Sequence, residues 1–141
     1  MQGTITMQNG EKIHFELYEN EAPKTVANFV KLIKEGYYNG KTFHRVIAGF
    51  VSQGGCPNGN GSGDLGYTIP CEAQNNSHIH EVGSFSMAHR GKDTGCCQFF
   101  ICHEAQPHLD GVHTVFGKAL DNIAAVHNMR NGDVIESIVV E

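Results

Sequence analysis

The first eighteen residues alternate between hydrophobic and polar positions with a period of two. The alternation covers residues 4–7 and 12–18, and the polar stretch between them ends in Asn9 and Gly10. Side chains at alternate positions of a strand point to opposite faces, and Asn-Gly between two alternating runs is a strong hairpin signal. The chain is therefore predicted to open with two antiparallel strands, each with one buried face.

A helical period follows the hairpin. Pro23 suits the first position of a helix and Gly36 suits the position after its end. The apolar residues between them recur at i, i+3, i+4 and i+7, namely at Val26, Phe29, Val30 and Ile33. This pattern predicts an amphipathic helix with one buried face.

Short strand-like segments make up most of the remaining chain. A second helix is predicted from Asp121, as N-cap, through Met129, and residues 54–66 contain six glycines, which marks an exposed loop. The strands are predicted at residues 43–46, 50–53, 85–88, 98–102, 114–118 and 134–140. Many short strands with two helices and no alternation of strand and helix predict a mainly β fold, an antiparallel barrel or sandwich, in one domain over residues 1–141.

The charge balance excludes several classes of partner. The 141 residues include 10 Lys and Arg against 15 Asp and Glu, so the net charge is -5. Without a basic excess to neutralise phosphates, we expect no general binding to nucleic acid or to an anionic membrane. No apolar run is long enough for a membrane span, and the first residues do not resemble an export signal, so a cytoplasmic protein with its five cysteines reduced is expected.

Three motifs are candidates for other functions, but each lacks a further sequence feature that its function requires. Residues 61–66 match G-x-G-x-x-G, but the β-branched residues and proline that follow do not open a helix, so a nucleotide site is disfavoured against a surface loop. A metal or redox sensor would draw on seven candidate ligands, although they lack paired zinc spacing: Cys71, His78, His80, Cys96, Cys97, Cys102 and His103. A Cys-His hydrolase would use Cys96 or Cys97 with His103 or His113, yet no third orienting group is identifiable.

A mixed apolar and polar set is more informative than these motifs. Val51 and Gln53 are two residues apart on one predicted strand, and Gln98 and Phe100 are spaced in the same way on another. By the same spacing, Phe43 and Arg45 are predicted to share a face of a third strand. If these faces converge, they form a groove with aromatic walls, one guanidinium and two carboxamides, which suits a peptide.

Four strings of residues resemble the cyclophilins, the family of peptidyl-prolyl cis-trans isomerases. They are FHRVIAGFVSQGG at 43–55, SMA at 86–88, QFFIC at 98–102 and LDGVHTVFG at 109–117. The likeness runs in order along nearly the whole chain, and its short loops resemble the small bacterial-type members. It implies a closed eight-stranded antiparallel β-barrel capped by two α-helices, which agrees with the predicted elements.

The resemblance also implies a set of site residues. Arg45 stands at the position of the family's catalytic arginine. The residues at positions that line the proline pocket and the adjoining peptide groove are Phe50, Val51, Gln53, Met87, Ala88, His89, Gln98, Phe100, His108, Leu109 and His113. Val51 replaces a common Met, His108 stands where relatives have Trp or Phe, and His89 where they often have Asn. Cys96 and Cys97 replace small residues beside a secondary pocket, and these four differences together are expected to weaken binding of cyclosporin-type cyclic peptides.

The implied function is isomerisation of X-Pro bonds in flexible or folding polypeptides, with no cofactor and no metal. In the twisted transition state the proline nitrogen can accept a hydrogen bond that the planar amide cannot, and Arg45 would donate it. We expect a monomer whose partners are proline-containing polypeptides. A second hypothesis is a proline-peptide binding module with little turnover, built on the same groove.

Overall fold

A computed structural model describes residues 1–74 and 76–141. Its two helices are α1 (Pro23–Lys34) and α2 (Ile123–His127), and a 3-10 turn lies at Pro107–Leu109. The strands are β1 (Gln2–Met7), β2 (Lys12–Leu17), β3 (Thr42–Phe43), β4 (Arg45–Ile47), β5 (Val51–Gly54), β6 (Ser84–Met87), β7 (Phe99–Cys102), β8 (Val115–Ala119) and β9 (Asp133–Val140). Neither α-helix of the described residues is long and apolar enough to cross a membrane.

All the strand pairs are antiparallel, and together they form one strongly curved sheet. The strand order is β3-β9-β1-β2-β8-β6-β7-β5-β4, so the two terminal strands of the sheet are neighbours in the chain. β3 and β4 are separated by His44 alone, which brings the two ends of the sheet together and nearly closes the barrel. The predicted antiparallel barrel with two helices is therefore confirmed.

The barrel has nine strands where eight were expected, because the predicted strand at residues 43–46 is broken at His44. β3 pairs with β9, with Phe43 opposite Asp133, while β4 pairs with β5, with Arg45 opposite Gln53. The prediction that Phe43 and Arg45 share a face is wrong for the same reason. Phe43 is fully buried in the barrel core, and Arg45 is exposed on the outside.

The main core fills the barrel and is rich in aromatic rings. Phe99 lies at its centre, with ring centroids of Phe29, Tyr38, Phe43 and Phe85 between 5.2 and 5.9 Å away. α1 covers one side with its buried face, which includes Val26, Phe29 and Ile33 as the helical period predicted. Phe116 of β8 is buried in the same core.

A long-range contact caps α1. Ala22, the residue before the helix, provides no side-chain cap, and the carboxylate of Glu72 takes that role. It accepts hydrogen bonds from the backbone amides of Lys24 and Thr25 at 3.2 and 2.7 Å and from the Thr25 hydroxyl at 2.8 Å. A carboxylate at this end of a helix satisfies free amides and interacts favourably with the helix dipole.

The second helix is shorter than predicted, and its N-cap is not Asp121. α2 begins at Ile123 after Asn122, which has the left-handed backbone conformation with φ of 54°. Asp121 instead accepts hydrogen bonds from the backbone amide and the ring Nδ1 of His14, at 2.9 and 2.7 Å. The carboxylate therefore ties the chain to β2 rather than starting the helix.

A second, smaller cluster lies outside the barrel, on the opposite face of β5 and β7. It consists of the buried side chains of Val51, Phe100 and Cys102, with Phe50 and Leu109 packed against them. Neighbouring residues of β7 thus serve different clusters, since Phe99 points inward and Phe100 outward.

Phe99→Ala is expected to lower the free energy of unfolding by about 3 to 5 kcal/mol, because it leaves a cavity among four rings. Phe100→Ala should cost less stability and mainly weaken binding of a proline peptide, since the outer cluster has few members. Denaturant unfolding of both variants, with peptide titrations, measures this difference. Equal losses of stability without any change in peptide binding would contradict the division into two clusters.

Candidate active site

The register of three strands places the central groove residues in one row. Arg45 of β4 is opposite Gln53 of β5, and Gln53 is opposite Phe100 of β7. Residues directly opposite each other in a sheet point to the same face. The outer face of the barrel therefore carries a guanidinium, a carboxamide and a phenyl ring side by side, as the sequence predicted for the last two strands.

These side chains border a cavity of about 220 Å³. Its nine lining residues are all among the twelve predicted for the site: Arg45, Phe50, Val51, Gln53, Ala88, His89, Phe100, Leu109 and His113. Its lining combines apolar side chains with the guanidinium of Arg45, the carboxamide of Gln53 and two imidazoles. A pocket with apolar walls and a few convergent polar groups is the usual form of a small-ligand or peptide site.

A chain of side-chain amides connects Arg45 to the glycine-rich loop. Arg45 Nη1 donates to Gln53 Oε1 at 3.5 Å, and Gln53 Nε2 donates to Gln98 Oε1 at 3.0 Å. Gln98 Nε2 in turn donates to the carbonyl of Gly61 at 3.2 Å. The chain orients both carboxamides so that Oε1 of Gln53 faces the guanidinium.

Two stacked imidazoles form the far wall. The rings of His89 and His113 are nearly parallel, at 10°, with centroids 4.0 Å apart. His113 Nδ1 donates to the carbonyl of Met87 at 2.9 Å, and His89 Nε2 donates to the carbonyl of Val112 at 2.9 Å. Burial lowers the pKa of His113, and the hydrogen bond to Met87 only partly opposes this, so the ring is neutral at pH 7.

A relay of hydrogen-bonded polar side chains, formed by His80, Ser86 and Asp110, lies behind the groove and supports it. His80 stacks on Phe100 at 5.9 Å, its Nδ1 lies 2.8 Å from Asp110 Oδ1, and its Nε2 lies 2.8 Å from Ser86 Oγ. The backbone amide of His80 also donates to Asp110, at 2.7 Å. Asp110 follows Leu109, so the relay holds the segment that carries Leu109 and His113 against β6.

Nothing in the local sequence around His80, Ser86 and Asp110 indicates this supporting role. Partial burial alone would raise the pKa of Asp110, but the hydrogen bonds from the backbone and ring of His80 lower it. Burial lowers the pKa of His80. The partners are 30 and 6 residues apart in the chain, so their contact depends on the closure of the barrel.

Three of the twelve predicted residues do not line the central cavity. Gln98 acts through Gln53, and His108 stacks on Phe50 with centroids 5.9 Å apart. The prediction for Met87 is wrong, because its side chain is 3% exposed and packs in the main core. Strand alternation places it on the inward face with Phe85, so it cannot hold a proline ring in the groove.

A second cavity, of about 80 Å³, adjoins the first and shares Gln53, Ala88 and His89 with it. Cys96 and Cys97 line it, as predicted for the secondary pocket. The two residues are only 5% and 1% exposed, so neither thiol is readily accessible in the folded protein.

The segment of Cys96 and Cys97 is fixed by hydrogen bonds to its backbone. The carbonyl of Cys96 accepts from Asn28 Nδ2 at 2.7 Å, and the carbonyl of Cys97 accepts from the Tyr38 hydroxyl at 2.8 Å. Burial raises the pKa of the Cys97 thiol to about 11 and that of Cys102 to about 12. Neither thiol is therefore suited to act as a nucleophile at neutral pH.

A metal site and a nucleotide site find no support in the geometry. The described residues bring together no group of three or more His, Cys, Asp or Glu side chains that could hold a metal ion. The glycine-rich stretch at residues 61–66 forms no helix, and Gly61 and Gly63 border the secondary pocket. This stretch is the surface loop that the sequence predicted.

Comparison with known proteins identifies the family. Residues 4–140 match the family model described as cyclophilin type peptidyl-prolyl cis-trans isomerase. The chain belongs to the cyclophilin-type peptidyl-prolyl cis-trans isomerases. It is 61% identical to peptidyl-prolyl cis-trans isomerase B of Bacillus subtilis, over 99% of this chain and 97% of that protein. It is 57% identical to a peptidyl-prolyl cis-trans isomerase of Synechococcus elongatus, over 91% and 88% of the two chains.

A solved structure shows the same fold at lower identity. A cyclophilin type isomerase of Cryptosporidium parvum, crystallised in the presence of the dipeptide Ala-Pro, superimposes with a TM-score of 0.89 and 30% identity. The match covers 100% of this chain and 99% of that one. The predictions of a cyclophilin-like isomerase fold and of isomerase function, made from the sequence, are thus confirmed.

In the native enzyme, Cys71 is expected to react first with a thiol reagent, since the other four cysteines are buried. Timed labelling with a chromogenic disulfide, with the Cys71→Ser variant as control, should show one fast thiol and four more on unfolding. Fast labelling at Cys96 or Cys97 in the folded enzyme would contradict the burial described above.

Proposed function

We propose that Arg45 is the catalytic residue of this isomerase and that it donates a hydrogen bond to the proline nitrogen as the amide twists. The observation that supports this is the position of the guanidinium. It lies at the rim of the apolar cavity, and its one hydrogen bond within the described part of the chain, to Gln53, is long at 3.5 Å. A guanidinium has five N–H donors, so donors are left for a substrate.

The chemistry of the amide explains why such a donor accelerates rotation. Resonance makes rotation about the C–N bond cost about 18 to 20 kcal/mol. When the bond twists, the nitrogen lone pair is no longer delocalised and becomes an acceptor. A hydrogen bond made chiefly in the twisted state lowers the barrier without tightening binding of the planar substrate, so it raises kcat.

The rest of the groove holds the two sides of the bond. Phe50, Phe100 and Leu109 line the cavity, and their apolar side chains would hold a proline ring away from water. Gln53, whose carboxamide lines the cavity, offers hydrogen bonds to the flanking backbone. Fixing one side of the bond while the other rotates is the positioning part of catalysis.

The natural substrates are proposed to be flexible polypeptides that expose an X-Pro bond, because the cavity lies on the outer face of the barrel, where a polypeptide can reach it. Val51 is 2% exposed and gives the cavity a short wall, and His108 provides only a small ring beside Phe50. These two features support the proposal that cyclosporin-type cyclic peptides bind weakly to this groove. Five unpaired cysteines suit a reducing compartment such as the cytoplasm.

Arg45→Ala is expected to lower kcat about a hundredfold to a thousandfold, the typical effect of losing one preorganised transition-state donor. Arg45→Lys should recover little activity, since the ammonium lacks the planar fork. An NMR exchange assay on an Ala-Pro peptide measures kcat, and unfolding curves serve as the control for stability. A loss of less than threefold would remove Arg45 from the mechanism.

The same assay distinguishes the isomerase from a proline-peptide binding module. A module would bind the peptide through Phe50 and Phe100 and show little exchange above the uncatalysed rate. It would also be insensitive to Arg45→Ala, since an apolar groove holds a proline ring without a guanidinium.

The pH dependence tests whether a proton is transferred. The guanidinium stays charged, so kcat should be nearly flat between about pH 5 and 8 while the fold persists. Because burial lowers the pKa of His113, this ring gains its charge only in more acidic solution than an ordinary histidine. A charged imidazole in the groove lining disfavours an apolar ligand. KM should therefore rise as the pH falls, and less so in His113→Gln. A bell-shaped kcat profile that His113→Gln abolishes would mean that an imidazole transfers a proton.

A further inference from the structure

The strand that carries Arg45 has little support of its own. β4 has three residues and lies at the end of the sheet. Within residues 1–74 and 76–141 it pairs with β5 alone, so no described strand lies beside its outer edge. The Arg45 side chain is exposed and makes one long hydrogen bond among the described residues. Its position therefore depends on how the backbone of β4 is held.

A turn from the opposite end of the chain holds this backbone. Residues 130–133 connect α2 to β9, and the amide of Asp133 donates to the carbonyl of Arg130 at 3.0 Å, which closes a tight turn. Gly132 has φ of 90°, a conformation that glycine adopts readily. The Arg130 amide donates to Asp133 Oδ2 at 3.0 Å, so the turn is braced from within.

The turn forms hydrogen bonds with the chain on both sides of the break at His44. Before the break, the Gly132 amide donates to the carbonyl of Phe43 at 2.9 Å. After the break, Asn131 Oδ1 accepts a hydrogen bond of 2.6 Å from the backbone amide of Val46. Val46 is aligned with Ser52 on β5, but its amide bonds to Asn131 and not to β5, so it lies on the open edge of β4.

We propose that Asn131 is a positioning residue for Arg45. Its side-chain oxygen accepts the hydrogen bond that a neighbouring strand would otherwise accept from Val46. This contact fixes the direction of the chain after His44 and so holds the guanidinium at the groove. Asn131 is exposed, is not among the residues that line the groove, and is 85 residues away from Val46 in the chain. The inference rests on the catalytic role proposed for Arg45.

A double-mutant cycle with a rescue variant tests this role. Asn131→Ala is expected to lower kcat about threefold to tenfold, the effect of losing one hydrogen bond at the strand, with a smaller change in KM. Asn131→Asp retains the acceptor oxygen and should keep most of the activity. In an Arg45→Ala background, Asn131→Ala should change kcat less than twofold, because coupled residues are not additive.

A control and a measurement independent of activity complete the test. Asn128, an exposed asparagine that ends α2, has no contact with β4 among those described, so Asn128→Ala should leave kcat unchanged. Hydrogen exchange of the Val46 amide should speed up in Asn131→Ala and remain slow in Asn131→Asp. If Asn131→Ala does not fold, Asn131→Ser, whose hydroxyl is too short to reach Val46, carries the same expectation.

Three results would overturn the proposal while leaving that for Arg45 intact: wild-type kcat in Asn131→Ala, equal loss in Asn131→Asp and Asn131→Ala, or an equal loss with and without Arg45. A different result, little change of kcat in Arg45→Ala, would overturn the proposed function itself. The single variants therefore show which of the two proposals fails.

Discussion

The alternation of side chains along β5 and β7 is the constraint on which the site depends. Because the barrel is nearly closed, the inward residues of these strands are committed to one crowded core, with Phe99 surrounded by four rings. The outward residues, Val51 and Phe100, are then free to form a second apolar cluster on the surface. A slip of one residue in register would exchange the two sets and remove the groove.

The groove is rigid because it is built on the strands of the barrel. Its polar groups are held by contacts from distant parts of the chain. Gln98 reaches the loop at Gly61, His80 holds Asp110 and Ser86, and Asn131 holds Val46. Each of these contacts satisfies a polar group that would otherwise cost free energy at a buried or unpaired position. Rigid placement suits catalysis by a preorganised donor, since the donor then does not have to reorganise as the amide twists.

Four histidines form walls of the groove of this isomerase or support it from behind. His89 and His113 are stacked at the far wall, His108 covers Phe50, and His80 lies behind Phe100. The pKa of His80 and of His113 is lowered by burial, so these two rings are neutral and can pack as flat, weakly polar walls at neutral pH. Protonation of His113 in acid would add positive charge to the cavity that Arg45 also lines.

The sequence by itself determined the elements, the barrel and most of the groove, because periodicity, turn residues and the cyclophilin-like strings are local properties of the chain. The hairpin, α1 and the placement of Val51 and Gln53 on one face of a strand followed from spacing alone. Only the tertiary structure decided the break at His44, the inward position of Met87, the burial of Cys96 and Cys97 and the role of Asp121 as a partner of His14. Each depends on which distant segment lies alongside: β9 and the turn at residues 130–133 divide β3 from β4, and closure of the barrel decides which face is inside. Local pattern indicates that a face is apolar, whereas the partner across the sheet determines whether that face becomes core or groove.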